Sequence, residues 1–234
     1  MALAGTAFLA LFNGFDPARD DEYNIWHSVE HVPERLTMPG IVRARRYVNR
    51  RDAELPYFTL YELASIEAMY SEAYLHLITH PTAWTQRMRA SFGRFLRVPC
   101  RMLASRGDGM GAALQAVILR GAHGEAPADA PVRALADTLG RLDGITGVHV
   151  GLLDDEAPPV PGLQAAAPSD SASALVVLLE AQEESWLDRQ RDAVDAALGR
   201  IGGAWSGPEH RVYRLMHMLD AGRSSDETAR LRAG

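Results

Sequence analysis

The stretches Phe8-Leu-Ala-Leu-Phe12, Ala116-Val-Ile-Leu119 and Leu175-Val-Val-Leu-Leu179 contain no polar residue. A strand with one face in water alternates apolar and polar side chains, whereas a strand covered on both faces is apolar throughout. These three stretches therefore predict strands that are buried on both faces. Helices on one side and a second sheet on the other are the simplest cover for such strands.

The predicted elements occur in the same order twice along the chain. Residues 6–104 follow the order β-α-β-β-α-β, and residues 113–219 repeat it after a glycine-rich segment at 105–111. This order is that of the split βαβ, or ferredoxin-like, unit. We therefore predict an α+β fold in which residues 1–106 and 107–234 form two tandem ferredoxin-like halves. The second half is expected to close an α+β barrel within one chain.

The composition disfavours several classes of protein. The chain has 234 residues, is 47% hydrophobic and 23% charged, and carries a formal net charge of −6. An acidic chain does not favour a nucleic-acid partner, and no run approaches the ~20 apolar residues of a membrane span. The single cysteine, Cys100, excludes an intrachain disulfide and fits a reducing compartment. We expect a cytoplasmic protein, for which a homodimer is possible but is not needed to complete the barrel.

The first half concentrates ionisable side chains in Trp26-His-Ser-Val-Glu-His-Val-Pro-Glu-Arg-Leu36. His27 and His31 are four residues apart and therefore share a helix face. His76 and His80 have the same spacing on the second predicted helix. The two helices of a split βαβ unit lie side by side on one face of its sheet, so both histidine pairs are expected to border one cleft.

These residue types suit proton transfer. A neutral imidazole, with a pKa near 6.5 when unperturbed, is the side chain best matched to moving a proton at pH 7. We predict that His31 is the general base or acid, that His27 or Glu30 orients it, and that Arg35 holds an oxyanion or a carboxylate. The predicted substrate-binding residues are Tyr23, Trp26, Tyr61, Tyr74, His76, His80 and Trp84. The competing interpretation is a structural histidine at a helix end beside a solvated ion-pair face.

The run from Trp26 to Tyr47 resembles a known family. Its Trp-His and Glu-His-x-Pro-Glu-Arg-Leu block, followed by Pro-Gly-Ile-x-x-Ala-Arg-Arg-Tyr, is similar to the dimeric α+β barrel superfamily, especially its EthD-like members. The block from Pro81 to Met88 fits the same kind of protein. The resemblance covers residues 6–104 well and the second half only in architecture. It implies relatives that include cofactor-free monooxygenases, isomerases, dehydratases or lyases of small aromatic or polyketide-like molecules, haem enzymes, and members of no known activity.

Metal and haem sites are the main alternatives at these histidines. His27-Ser-Val-Glu-His31 matches the H-x-x-E-H pattern of zinc peptidases, but Pro33 follows where that signature needs a continuing helix. A metal bound by this pair together with His76 or His80 remains possible, because imidazole pairs at this spacing suit Zn, Cu, Ni or Fe. Haem is disfavoured, because neither predicted helix of the second half contains a histidine. We predict a site with no metal and no cofactor.

The function predicted from these features is that of a cofactor-independent enzyme acting on a small molecule. A lyase, an isomerase or an oxygenase that uses His/Glu acid-base chemistry on an apolar or aromatic substrate fits the residue set best. The alternatives are a non-catalytic ligand-binding or structural α+β barrel protein and a histidine-ligated metal site.

Overall fold

The computed structural model describes residues 3–161 and 173–222 of the chain. Its strands are β1 (Ala7–Phe15), β2 (Ile41–Val48), β3 (Tyr57–Leu63), β4 (Phe92–Arg106), β5 (Ala113–Gly121), β6 (Ile145–Leu153), β7 (Ser173–Ala181) and β8 (Ser206–Asp220). Its α-helices are α1 (Asp20–Trp26), α2 (Val32–Leu36), α3 (Glu72–Thr79), α4 (Ala83–Arg89), α5 (Asp129–Leu139), α6 (Glu184–Arg189) and α7 (Arg191–Leu198). Short 3-10 turns occupy Pro17–Arg19 and Ile66–Tyr70, and a π-helical turn occupies His27–His31.

The eight strands hydrogen-bond in the closed barrel order β1-β3-β2-β8-β5-β7-β6-β4. The central strand of each predicted half pairs antiparallel with its two neighbours. In β3, Tyr61 lies opposite Leu9 of β1 and Ala44 of β2. In β7, Val177 lies opposite Val117 of β5 and Val150 of β6. The predicted fold class, an α+β barrel built from two tandem β-α-β-β-α-β halves, is confirmed.

The described chain separates into two compact units, each of which has its own core. The first unit contains residues 4–97, 156–161 and 216–222, and the second contains residue 3 and residues 98–155 and 173–215. The predicted division of the sequence at residue 106 remains a prediction.

The first unit buries its strands on both faces. Every residue of β3 is buried, and in β1 all residues except Leu11 are buried. Helix α2 contributes Val32 and Leu36 to a core that also contains Tyr61 and Leu63 of β3. Because a single sheet face cannot bury both sets of side chains of a strand, this burial confirms the expectation drawn from the unbroken apolar runs.

The second unit has a continuous aliphatic core. Helix α5 buries Val132, Leu135, Ala136 and Leu139, which are spaced three or four residues apart as on one helix face. Helix α7 buries Val194, Ala197 and Leu198. These side chains pack with the apolar residues of β5, β6 and β7. The predicted strands and helices of this half are present, although the last helix is interrupted at Gln190.

The second helical region of the first unit is more broken than the sequence indicates. The sequence predicts one helix from Ser65 towards Phe92 with a possible break at Pro81, whereas the structure has a 3-10 turn followed by α3 and α4. Ser71 ends the 3-10 turn and caps α3, because its hydroxyl accepts a hydrogen bond from the backbone N–H of Tyr74. Thr82 caps α4 in the same way. The predicted loop at 154–173 is only partly described, because residues 162–172 lie outside the described chain.

Candidate active site

The histidine-rich stretch forms an interrupted helix whose middle turn is π-helical. Helix α1 leads into the π turn His27–His31, and α2 follows it. The backbone N–H of Val32 donates to the carbonyl of His27, five residues earlier. Pro33 accounts for this wide turn, because it lacks an N–H and its ring would collide with the carbonyl four residues earlier in a regular α-helix. The histidines at the two ends of the turn, and Arg35 after them, all line one cavity.

This cavity lies entirely among residues of the first unit. Its walls are Leu9, Leu11, Asn13, Trp26, His27, His31, Arg35, Ile41, Thr59, Tyr61, Tyr74, Ile78, Thr85, Arg89, Phe92, Phe95, Arg97 and Val160. Its volume, including the opening to solvent, is about 690 Å³.

The sheet side of the cavity follows the alternation of its strands. Leu9, Leu11 and Asn13 are two residues apart on β1, and Phe95 and Arg97 are two apart on β4. Alternate residues of a strand project from the same face. Each strand therefore presents a mainly apolar row to the cavity that ends in one polar group.

His27 and His31 are held as neutral, unpaired rings. Their ring centroids are 5.0 Å apart, and the His31 ring lies 4.5 Å from that of Trp26. The Nδ1 atom of each histidine is buried without a hydrogen-bond partner in the described chain. Burial lowers the pKa of both rings well below the usual value, and the nearby guanidinium groups of Arg35 and Arg46 lower each pKa further. Both rings are therefore neutral at pH 7 and able to accept a proton.

Arg35 and Tyr61 place unused hydrogen-bond donors in the same cavity. Arg35 is buried, and its Nη1 has no partner among the described residues. The Tyr61 hydroxyl is likewise buried and unpaired. Burial raises the pKa of Tyr61 above its usual value, so the hydroxyl keeps its proton and remains a donor.

Glu30 and Tyr23, also expected at the site, belong to its supporting structure. The Glu30 carboxylate accepts hydrogen bonds from the Trp26 indole at 3.2 Å and the Thr82 hydroxyl at 2.7 Å. No hydrogen bond joins it to either histidine in the described part of the chain. The Tyr23 hydroxyl donates to Asn13 at 3.0 Å, and burial raises the pKa of Tyr23 to about 12. Both residues fix side chains that line the cavity without lining it themselves.

His76, His80 and Trp84 lie away from the cavity. His76 and His80 are exposed on and just after α3, with stacked rings 4.2 Å apart, and they border a separate surface depression. The Trp84 indole donates to Glu22 at 3.1 Å. Of the residues predicted from the sequence, the structure brings together His27, His31, Arg35, Trp26, Tyr61 and Tyr74.

Two arginines that line the cavity, Arg89 and Arg97, are not among the residues predicted from the sequence. Arg97 is buried in β4, and its Nη2 donates to the Tyr74 hydroxyl at 3.5 Å. Arg89, at the end of α4, donates to the carbonyls of Ile78 and Pro161, each at 3.0 Å. The available signal was Arg97 itself, a charged residue between Leu96 and Val98 in an apolar strand.

The first helix of the second unit, α5, carries no histidine. Where α2 carries Arg35 after the two histidines, α5 carries Leu135 and Leu139 in the core. Its buried histidine, His149, bonds the Ser105 hydroxyl at 2.8 Å and the Glu180 carboxylate at 3.3 Å. The arrangement that suits acid-base chemistry therefore lies in the first unit.

Over residues 3–161 and 173–222, no group of three or more His, Cys, Asp or Glu side chains is placed to hold a metal ion. None of the helices in that part of the chain is both long and apolar enough to cross a membrane.

Comparison with known proteins establishes the fold. No protein-family model and no curated protein matches the chain. An anthrone oxidase-like protein of known structure is 13% identical, with a TM-score of 0.62 over 93% of this chain and 94% of that chain. A protein of Fusobacterium nucleatum provisionally assigned as a monooxygenase gives 9% identity and a TM-score of 0.56 over 92% and 97%. Chlorite dismutase from Candidatus Nitrospira defluvii is 12% identical, with a TM-score of 0.52 over 96% of this chain and 95% of that chain. The chain thus shares the α+β barrel fold of these structures.

Proposed function

We propose that this chain is a small-molecule enzyme that removes a proton from a substrate bound in the cavity beside His27 and His31. The observation that carries the proposal is the pair of neutral histidines whose buried Nδ1 atoms lack partners in the described chain. A buried polar atom without a partner costs free energy, so such atoms tend to be kept where a ligand or a reaction uses them.

His31 is assigned as the base. As it takes a proton from the carbon next to a carbonyl group, the electron pair of the broken C–H bond moves to the carbonyl oxygen. Arg35 and Tyr61 donate hydrogen bonds to the oxyanion that develops there. Return of the proton to another atom completes an isomerisation, and departure of a leaving group from the neighbouring carbon completes an elimination. The atoms and electrons balance in both cases without a cofactor.

The low pKa of His31 is compatible with this role. A histidine that is neutral at pH 7 is entirely in the form that accepts a proton. The imidazolium formed in the reaction then lies beside the new oxyanion. Two opposite charges 4 Å apart attract by about 4 kcal/mol at an effective dielectric constant of 20. This attraction offsets part of the cost of charging a buried ring, so the base is strongest when the oxyanion is present.

A cofactor-free oxygenase is the second candidate. The fold likeness to an anthrone oxidase-like protein and to a protein provisionally assigned as a monooxygenase favours it, as does the EthD-like resemblance of residues 26–47. The first step is the same deprotonation, after which dioxygen, as co-reactant, takes electrons from the substrate carbanion. Oxygen consumption measured with the same substrates separates this reaction from isomerisation or elimination.

Proton exchange in D₂O tests the proposed function. A panel of small ketones, 2-oxo acids and phenols is incubated with the protein, and loss of the ¹H NMR signal next to the carbonyl reports proton removal. We expect exchange with at least one compound, and a loss of roughly 100-fold or more in His31→Asn. His76→Asn is the matched control, because His76 is exposed outside the cavity. Exchange retained in both His31→Asn and His27→Asn would contradict the assignment of either histidine as the base, and absence of exchange with every compound would favour a non-catalytic ligand-binding protein.

A further inference from the structure

The cavity holds positive charge that the described chain does not neutralise. Arg35, Arg89 and Arg97 line it, and none of the three forms an ion pair within residues 3–161 and 173–222. Arg35 and Arg97 are buried, with 7% and 8% of their surface exposed. Each also has a buried nitrogen, Nη1 of Arg35 and Nε of Arg97, without a hydrogen-bond partner in the described chain.

The two other buried arginines of the described chain both have protein partners. Arg45 lies 2.8 Å from the carboxylate of Glu62. Arg46 donates to the Ser28 hydroxyl at 2.8 Å and to the side-chain carbonyl of Asn24 at 3.1 Å. A buried charge is costly unless it is paired or its donors are hydrogen-bonded. Arg35 and Arg97, each with a buried nitrogen that lacks a partner in the described chain, therefore need a reason.

Positive charge is the dominant electrostatic influence on His31 and Arg89. The charges that lower the pKa of His31 are those of Arg35, Arg46 and Arg89. Arg35 also lowers the pKa of Arg89, an effect larger than the opposite effect of Glu34. The space beside His31 is therefore at positive potential even with Glu34 in place.

We propose that the substrate carries a carboxylate, which binds between Arg35 and Arg89 beside His31, with its apolar remainder against the aromatic and aliphatic walls of the cavity. This inference rests on the proposed function, because it names the substrate class of the same site. The planar guanidinium matches a carboxylate with two parallel N–H donors. Arg97, next to Tyr74, supplies positive charge from β4.

A carboxylate fits the walls better than a neutral carbonyl compound or a phosphate does. A neutral compound leaves the guanidinium charges uncompensated after water has been displaced. A phosphate presents more oxygens than the unpaired donors Arg35 Nη1, Arg97 Nε and Tyr61 Oη satisfy. A single carboxylate matches both the sign of the charge and the number of donors.

The test compares acids with their neutral amides. Acetate, phenylacetate and 3-phenylpropionate are titrated into the protein alongside the three primary amides, and dissociation constants are measured by calorimetry and by ligand-observed NMR. We expect at least one acid to bind tenfold or more tightly than its amide. Arg35→Gln and Arg89→Gln are expected to abolish that preference. Arg87→Gln is the matched control, because Arg87 is exposed on the same helix as Arg89 and does not line the cavity.

Three results would overturn the carboxylate assignment. They are equal binding of every acid and its amide, a preference that survives in both Arg35→Gln and Arg89→Gln, and displacement of the acid by an equal concentration of inorganic phosphate. If Arg35→Gln does not fold, Arg89→Gln and the salt dependence of acid binding by the wild-type protein decide the matter. Binding that weakens steeply with salt supports the charge-based contact, and binding insensitive to salt contradicts it.

The same compounds separate this inference from the proposed function. Acid-selective binding without proton exchange in any compound would retain the carboxylate site and reject the enzyme. Proton exchange in neutral ketones, without any preference for acids, would retain the enzyme and reject the carboxylate site.

Discussion

His27 shows how strongly its surroundings control a single residue. Burial, the largest effect, and the charge of Arg46 both lower its pKa below the usual value. The ring therefore stays neutral in the folded protein at pH values where the same ring in the unfolded chain takes up a proton. This difference makes the stability of the protein depend on pH.

The sign of that dependence follows from proton binding. Below about pH 6.5 the unfolded state binds a proton at His27 that the folded state does not bind. The free energy of unfolding therefore decreases as the pH is lowered, by about 1.4 kcal/mol per pH unit for this group. We expect His27→Leu, which removes the titrating group and retains a similar volume, to make this decrease shallower between pH 6.5 and 5. Urea unfolding at several pH values measures it. His76→Leu is the control, and an unchanged slope in His27→Leu would contradict the assignment of His27 as a buried neutral ring.

Tyr61 and Tyr23 allow function and stability to be separated at single hydroxyl groups. The Tyr61 hydroxyl has no partner in the described chain, whereas the Tyr23 hydroxyl bonds Asn13 at 3.0 Å. We expect Tyr61→Phe to leave the free energy of unfolding unchanged or to raise it by about 1 kcal/mol, because a buried unpaired polar atom is removed. Tyr23→Phe should lower it by about 1 kcal/mol, because a buried hydrogen bond is lost.

The activity of the two tyrosine variants should follow the opposite order. If Tyr61 donates to an oxyanion, Tyr61→Phe is expected to slow proton exchange by roughly tenfold or more, and Tyr23→Phe should have a much smaller effect. Thermal melting and the D₂O exchange rate measure the two properties. A Tyr61→Phe variant that is destabilised but fully active would show that its hydroxyl has a structural role.

At the scale of helices and strands, the sequence predicts what depends on local pattern. Unbroken apolar runs such as Leu175–Leu179 identify strands buried on both faces, and the four-residue spacing of His27 and His31 predicts that they share a face. The π turn was not predictable in detail, because a shift in backbone hydrogen-bond register leaves the apolar periodicity unchanged. Pro33 indicates only that the helix is disturbed nearby.

Long-range direction is the part of the site that local pattern does not encode. His76 and His80 have the same spacing as His27 and His31, yet they face solvent, because Ser71 and Thr82 divide the region into short helices with their own orientations. Arg97 faces the cavity because it lies on the face of β4 that is turned towards it. That direction depends on strand pairing and cannot be read from the residues around it.

At the scale of the whole chain, each of the two units contains a buried glutamate that accepts a hydrogen bond from a backbone N–H. Glu62 is the penultimate residue of β3 and Glu180 that of β7, and both are fully buried. The Glu62 carboxylate accepts from the backbone N–H of Ala4 at 2.6 Å, and that of Glu180 accepts from Gly111 at 2.9 Å. Each carboxylate thereby holds the segment that leads into a strand, β1 for Glu62 and β5 for Glu180. This correspondence supports an internal duplication beyond the repeated order of elements.

The two glutamates differ in the basic residue that each contacts, and this difference predicts unequal costs of substitution. Glu62 lies 2.8 Å from buried Arg45, whereas Glu180 lies 3.3 Å from His149. Glu62→Gln leaves a permanent charge buried without its counter-charge, which typically costs about 3–5 kcal/mol. Glu180→Gln faces an imidazole, which unlike a guanidinium carries no permanent charge, so the cost should be nearer the ~1–3 kcal/mol of a lost buried hydrogen bond. Urea unfolding of the two variants at pH 7 compares these values. Equal destabilisation would contradict this difference, and would mean that the second unit depends on the contact between Glu180 and His149 as strictly as the first depends on the contact between Glu62 and Arg45.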